Sequence, residues 1–98
     1  MDIKSLMGVM KKEIEELKEW EFYENIVQRH FEFKNHIDAV KFVEALSLEA
    51  ISRELFPEIR ISFQKVNVIF VNEDEKRFFK NIDFAKKIEE FCDCYNLK

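Results

Sequence analysis

The side chains that could carry chemistry in this 98-residue chain are few: two histidines, two cysteines and one acidic run. Imidazole is the side chain best suited to proton transfer near neutrality, which makes His30 and His36 the first candidates. His30, however, falls on the polar side of an alternating stretch, where a solvated strand residue is expected rather than a ligand. Cys92 and Cys94 are separated by one residue, a spacing that rarely closes a disulfide, and no distant cysteine offers a partner. As zinc ligands they lack two companions, because neither histidine stands at ligand spacing from them. The expectation is two reduced thiols near a fraying C-terminus. Residues 72–77 (Asn-Glu-Asp-Glu-Lys-Arg) are acidic enough to suggest a cation but lack the spacing of a calcium loop, so a solvated turn is expected. No metal and no cofactor are expected.

The length suits one domain over residues 1–98, with a single core. Hydrophobic residues make up 47% and charged residues 37%, which excludes a disordered tail or a membrane protein. No apolar run reaches the length of a bilayer span and no charged-then-apolar leader begins at Met1, so a cytoplasmic protein is expected. A net charge of −4 argues against a nucleic-acid partner, which calls for a basic surface. Eleven phenylalanines against one glycine imply an aromatic core and few turns that need positive φ.

The elements that position these residues follow from periodicity. Ile3, Met7, Met10, Ile14 and Leu17 recur at helical intervals, predicting an N-terminal helix within residues 1–18 with Asp2 as its cap. Residues 20–33 read as a hairpin: Trp20 and Phe22 face one way, and Glu24-Asn25 turns the chain, with Asn25 tolerant of left-handed backbone. After the turn, Val27, Arg29, Phe31 and Phe33 alternate with Gln28, His30 and Glu32. Asn35 caps the next helix, with Asp38 resembling the carboxylate of a capping box.

That helix, from 36 to about 55, carries two apolar faces. Ala39, Phe42, Val43, Leu46 and Ala50 form one stripe. Ile37, Val40, Leu48, Ile51 and Leu55 form another, roughly opposite at about 100° per residue. A helix on a sheet needs one stripe, so Ile37, Val40, Leu48 and Ile51 are expected to meet another subunit in a homodimer or homotetramer.

Pro57, the only proline, ends the helix by Phe56. Beyond it, Ile59, Ile61 and Phe63 alternate with Arg60 and Ser62 in a strand. A turn at Gln64-Lys65 leads to a nearly all-apolar central strand over residues 66–71. The last helix is predicted from about 79 to 92, burying Ile82, Ala85, Ile88 and Phe91 or Cys92, with Asn81 among its polar residues. The order α-β-β-α-β-β-α predicts an α+β fold: a four-stranded antiparallel sheet with helices packed on one face.

This order and its residues resemble the pterin-4a-carbinolamine dehydratase family, whose animal members double as the dimerisation cofactor DCoH. The likeness covers about residues 20–90. It rests on Trp20; on Arg29, Phe31, Phe33, Lys34 and Asn35, similar to R-x-F-x-F-K-D; and on Ala39, Phe42, Val43 and Ala50. It continues through Pro57, Ile59, Phe63 and Val66, and through Asn81, Phe84, Ala85 and Ile88, similar to D-x-x-L-A-x-x-I. The resemblance implies elimination of water from a 4a-hydroxytetrahydropterin, with histidines as acid and base. The paired family histidines fall at Leu55 and Phe56, the third at Glu73, and the acid that opens the last helix at Asn81. The loop over residues 74–80 is one residue short and lacks the family's glycines.

Hydrocarbon side chains at Leu55 and Phe56 cannot transfer protons, and positioned proton transfer contributes about 10²–10⁴-fold in rate. No catalytic residues are therefore expected. A non-catalytic, oligomeric binding protein is expected, acting in a protein-client, assembly or regulatory role. The resemblance supplies examples of such clients in transcription-factor dimerisation helices and, in certain bacteria, Rubisco assembly clients. The alternative is a divergent dehydratase or pterin binder of weak activity. Its pocket would be lined by Glu54, Leu55, Phe56, Pro57 and Phe63 on one side and by Val71, Asn72, Glu73 and Asp74 on the other. In that case Phe56 would stack on the pterin ring and Glu73 would be the remaining acid or base.

Overall fold

The computed structural model describes residues 3–98; the expected cap Asp2 lies outside them. The elements are α1 (Ile3–Val9), α2 (Lys11–Glu15), β1 (Glu21–Tyr23), β2 (Ile26–Glu32), α3 (His36–Arg53), β3 (Glu58–Ser62), β4 (Lys65–Val71) and α4 (Glu75–Phe91), followed by a 3₁₀ turn at Cys92–Tyr95. The strands form a four-stranded antiparallel sheet in the order β1-β2-β4-β3, and the helices pack on one face, as the α+β reading expects.

Alternation in the strands decides which side chains meet the helices. Val27 and Phe31 of β2 and Val66, Val68 and Phe70 of β4 point inward, opposite Ala39, Phe42, Leu46 and Ala50 of α3 and Phe78, Ile82, Phe84, Ala85 and Ile88 of α4; all are buried. The rings interlock: Phe42 lies 4.8 Å from Phe31 and 4.9 Å from Phe33, and Phe70 lies 5.3 Å from Phe84. Such contacts add to the area term because tilted rings align edge and face charge.

Arg29 shares this inward face. Its guanidinium pairs with Glu89 of α4 and sits 4.3 Å over the Phe31 ring, while Trp20 Nε1 donates to the same carboxylate at 3.0 Å. One carboxylate thus ties the first hairpin to the last helix.

Several local expectations are corrected. The N-terminal helix is broken at Met10, whose φ of −105° and ψ of 29° are not helical. Gly8, a poor helix former, stands two residues before the break. Leu6 and Leu17 take the most buried places in this segment, with Met7, Met10 and Ile14 only partly covered.

The single glycine does not spare the chain positive φ. Glu24 (52°), Glu54 (55°), Phe63 (56°) and Asn96 (60°) all adopt it. In both hairpins the left-handed residue is the first of a two-residue turn, so it is Glu24 rather than Asn25. The second turn is Phe63-Gln64, closed by the Ser62–Lys65 pair, one residue earlier than Gln64-Lys65. Phe63 therefore belongs to a turn and not to the strand, and it is exposed.

Asn35 does cap α3, accepting from the Asp38 N–H at 2.9 Å. The Asp38 carboxylate does not complete a capping box but accepts from Asn96 Nδ2 at 3.3 Å. The C-terminus is pinned rather than frayed: Leu97 bridges to Phe33 and the Lys98 N–H donates to the Glu32 carbonyl at 2.8 Å. Cys92 is buried and Cys94 exposed, both as free thiols. Residues 74–77 are not a solvated loop but the cap and first turn of α4, which begins well before the expected residue 79.

Candidate functional site: a cleft at the helix–proline junction

The end of α3 shapes the site. Glu54 turns left-handed, its N–H donating to the Ile51 carbonyl at 3.2 Å, and the Leu55 N–H reaches back to the Ala50 carbonyl at 3.1 Å. This pair of bonds is a Schellman ending, whose usual companion is an apolar contact between the residue after the left-handed one and the last turn. Leu55 is that residue. It folds inward at 4% exposure, beside buried Ala50, and so leaves the second stripe of the helix for the core. Phe56, held extended by the proline that follows, points the other way and is 72% exposed. The two adjacent apolar residues thus have opposite fates.

The facing wall is built by the start of α4. The Asp74 side chain accepts from the Arg77 N–H at 2.7 Å, which fixes where the helix begins. Arg77 and Asn81, four residues apart, then share the face turned toward β4. Asn81 is 2% exposed, not part of a polar surface; its Nδ2 donates to the Val71 carbonyl at 3.2 Å and to Asn72 Oδ1 at 2.9 Å.

Between these walls lies a cleft of about 360 Å³. Of the expected pocket residues, Leu55, Phe56, Pro57, Val71 and Glu73 line it. Glu54 forms the helix ending, Asn72 is buried against Asn81, Asp74 is the cap of α4 and Phe63 occupies the distant hairpin turn; these four lie outside the lining. Glu58, Ile69, Phe70, Arg77 and Asn81 complete it. The cap pattern Asp74-x-x-Arg77 followed by buried Phe78 was the available signal for the last two, because it moves the helix start and brings them round to β4.

Neither histidine reaches the cleft. His30 lies on the open face of the sheet, 3.7 Å from Glu21. His36 opens α3, where its Nδ1 contacts the Phe63 carbonyl and its ring stacks on Phe63 at 5.4 Å. The ionisable side chains on the cleft wall are Glu58, Glu73 and Arg77, and Glu58 is held by Arg60 at 2.9 Å. Among the described residues, no three His, Cys, Asp or Glu side chains converge to hold a metal ion.

On the far side of α3, Ile37, Val40, Leu48 and Ile51 are 64%, 44%, 62% and 62% exposed, so the chain itself does not cover them. No described helix is long and apolar enough to cross a membrane.

The fold has solved counterparts. A transcriptional coactivator/pterin dehydratase from Brucella melitensis superposes with a TM-score of 0.74 at 21% identity, over 85% of this chain and 92% of that one. A pterin dehydratase-like protein identified as a RuBisCO assembly factor in the alpha-carboxysome superposes with a TM-score of 0.61 at 16% identity, over 74% of this chain and 86% of that one. Both likenesses establish the architecture alone.

Sequence places the chain more closely. The family model for pterin 4 alpha carbinolamine dehydratase matches residues 8–91. A relative from Aquifex aeolicus, provisionally named pterin-4-alpha-carbinolamine dehydratase, is 30% identical over 82 residues, 83% of each chain. A relative of the same provisional name from a Picosynechococcus species is 35% identical over 65 residues, 66% of this chain and 71% of its own. The chain belongs to the pterin-4-alpha-carbinolamine dehydratase family.

Proposed function

We propose that this chain is a non-catalytic member of its family, an oligomeric binding protein in a protein-client, assembly or regulatory role. The carrying observation is the cleft wall: Leu55, Phe56 and Glu73 stand where the family resemblance puts histidines, and both imidazoles of the chain lie elsewhere. Dehydration at C4a requires an acid for the leaving hydroxyl and a base for a ring proton; of the two carboxylates on the cleft wall Glu58 is held by Arg60, which leaves exposed Glu73 alone for both tasks. The bare stripe Ile37, Val40, Leu48 and Ile51 supports association, and the names of two fold relatives, a coactivator and an assembly factor, support a protein client. Two free thiols, one exposed, suit the cytoplasm.

Two measurements test this. Breakdown of a 4a-hydroxytetrahydropterin, followed spectroscopically, is expected to run at the buffer rate; acceleration abolished by Glu73→Gln would overturn the non-catalytic reading. Sedimentation at micromolar concentration is expected to give a dimer or larger, and a monomer would overturn the oligomer.

A second reading, a pterin binder without turnover, is favoured by one observation. Phe56 holds a 72% exposed ring at the mouth of the cleft, a position suited to stacking on a flat heterocycle. Titration with a dihydropterin tests it: binding lost in Phe56→Ala supports it, and no saturable binding removes it.

A further inference from the structure

Three of the four arginines have carboxylate partners: Arg29 pairs with Glu89, Arg53 with Glu49 and Asp83, and Arg60 with Glu58. The fourth is Arg77, on the α4 wall of the cleft. Among the described residues it has no ion-pair partner, although it is partly buried. A guanidinium that is partly shielded from water and has no counter-charge is unfavourable, and an anion in the cleft would relieve it.

The rest of the lining narrows what that anion belongs to. Phe56 offers an exposed ring, and Leu55, Pro57 and Ile69 offer apolar surface, which together suit a flat hydrophobic body. Asn81 uses both Nδ2 hydrogens on the Val71 carbonyl and Asn72 Oδ1, so what it has left is Oδ1, an acceptor for a ring N–H or amino group. Two carboxylates also line the cleft. Glu58 is neutralised by Arg60, and Glu73 is exposed, where solvent screens it. The uncompensated charge inside the cleft is therefore a single positive one.

We propose that the cleft binds a flat heterocycle carrying one carboxylate, with the ring against Phe56 and the carboxylate on the Arg77 guanidinium. The proposal rests on the reading of the cleft as a pterin-type site and names the class of ligand it selects. The guanidinium presents parallel N–H groups at the spacing of carboxylate oxygens, so one arginine both neutralises and orients such a group. A phosphomonoester fits less well. It brings a charge of about −1.5 to −2 at pH 7, more than Arg77 answers alone beside Glu73. The volume of about 360 Å³ admits a bicyclic ring with a short substituent. A bare pterin ring leaves Arg77 without a counter-charge, so the wall favours an anionic relative of that ring.

The test titrates the full chain with two fluorescent probes that differ in the anion, 6-methylpterin and pterin-6-carboxylate. The carboxylate is expected to bind about tenfold or more tightly, as a charge-assisted hydrogen bond allows. Arg77→Leu is expected to erase that preference while leaving the affinity for 6-methylpterin unchanged, which shows that the cleft itself is intact. Arg77→Lys, a charge without the fork, is expected to keep part of the preference. Glu73→Gln is expected to widen it by removing the like charge. Equal affinity of the wild type for the two probes overturns the carboxylate inference and leaves the pterin-binding reading standing. A preference that survives Arg77→Leu overturns it too, because the anion is then held elsewhere. Saturable binding of neither probe removes both.

Discussion

Asn81 Nδ2 donates to Asn72 Oδ1 at 2.9 Å between two side chains that are each 2% exposed, joining the first turns of α4 to the end of β4. The same amide nitrogen holds the Val71 carbonyl. Asn72 Oδ1 is buried and the Val71 carbonyl partly so, and Asn81→Ala leaves both without this donor. A loss of about 2 kcal/mol is expected, since each buried orphan costs on the order of 1–3 kcal/mol and partial relaxation recovers some of it. Asn81→Asp installs the acid that the resemblance implies at this position but presents oxygen to oxygen; it is expected to cost at least as much at pH 7 and less at pH 4, where the protonated acid can donate. Urea denaturation at the two pH values reads both effects.

This pair marks a limit of local pattern. The strand order, the inward alternation of β2 and β4 and the core stripe of α3 follow from periodicity, which is a property of local geometry. The polar chemistry of Asn81 predicts a solvent-facing place, and nothing in the one-dimensional pattern announces that Asn72 stands opposite it. Leu55 was misplaced for a similar reason. Its helical phase puts it beside Ile51, but the Schellman ending bends the chain before that phase applies. The cleft was legible at its Pro57 end, where the backbone constraint is written in one residue. At its α4 end the helix starts four residues before the expected residue 79, at Glu75, which brings Arg77 onto the cleft wall.

The Arg29–Glu89 pair is expected to behave as a partly buried ion pair, with side chains 12% and 28% exposed. Removing one member strands the other; Glu89→Leu alone should cost about 3 kcal/mol, because Arg29 loses its counter-charge and Trp20 its acceptor. Arg29→Met together with Glu89→Leu should cost clearly less than the sum of the single changes. Chemical denaturation of the four proteins of this cycle gives the coupling, and simple additivity would show that the two charges do not act together.

Cys92 and Cys94 should differ sharply in reactivity. Burial, reinforced by the nearby Glu89 charge, pushes the Cys92 thiol up to about 11 from 9.0. A folded-state value above the unfolded one favours the neutral thiol in the fold. Its contribution to stability is therefore complete below pH 9.0 and is lost as the pH rises toward about 11. At pH 8 an alkylating reagent is expected to modify Cys94 quickly and Cys92 only on unfolding. Between pH 9 and 11 the wild type should lose stability faster than Cys92→Ala, and equal slopes would contradict the burial argument.

Leu55 and Phe56 test the site most directly, because they are neighbours in sequence and opposites in burial, at 4% and 72% exposure. Leu55→Ala should cost about 3 kcal/mol, in the range of large-to-small changes in a packed core. Phe56→Ala should stay within about 0.5 kcal/mol of wild type, as surface changes do. Placing histidines at the two positions separates the same roles. Phe56→His is expected to be tolerated, with its imidazole in the cleft mouth. Leu55→His puts a polar ring among Ala50 and the core, at a cost of about 2 kcal/mol or more. That cost should grow as the pH falls below about 6.5, because burial depresses the pKa of the folded imidazole and the unfolded chain gains the proton first. Thermal denaturation of the four variants at pH 5.5 and 7.5 checks the set. A Leu55→His protein as stable as wild type at both values would mean that residue 55 does not pack in the core, and the paired imidazoles that the resemblance implies could then be installed by two substitutions.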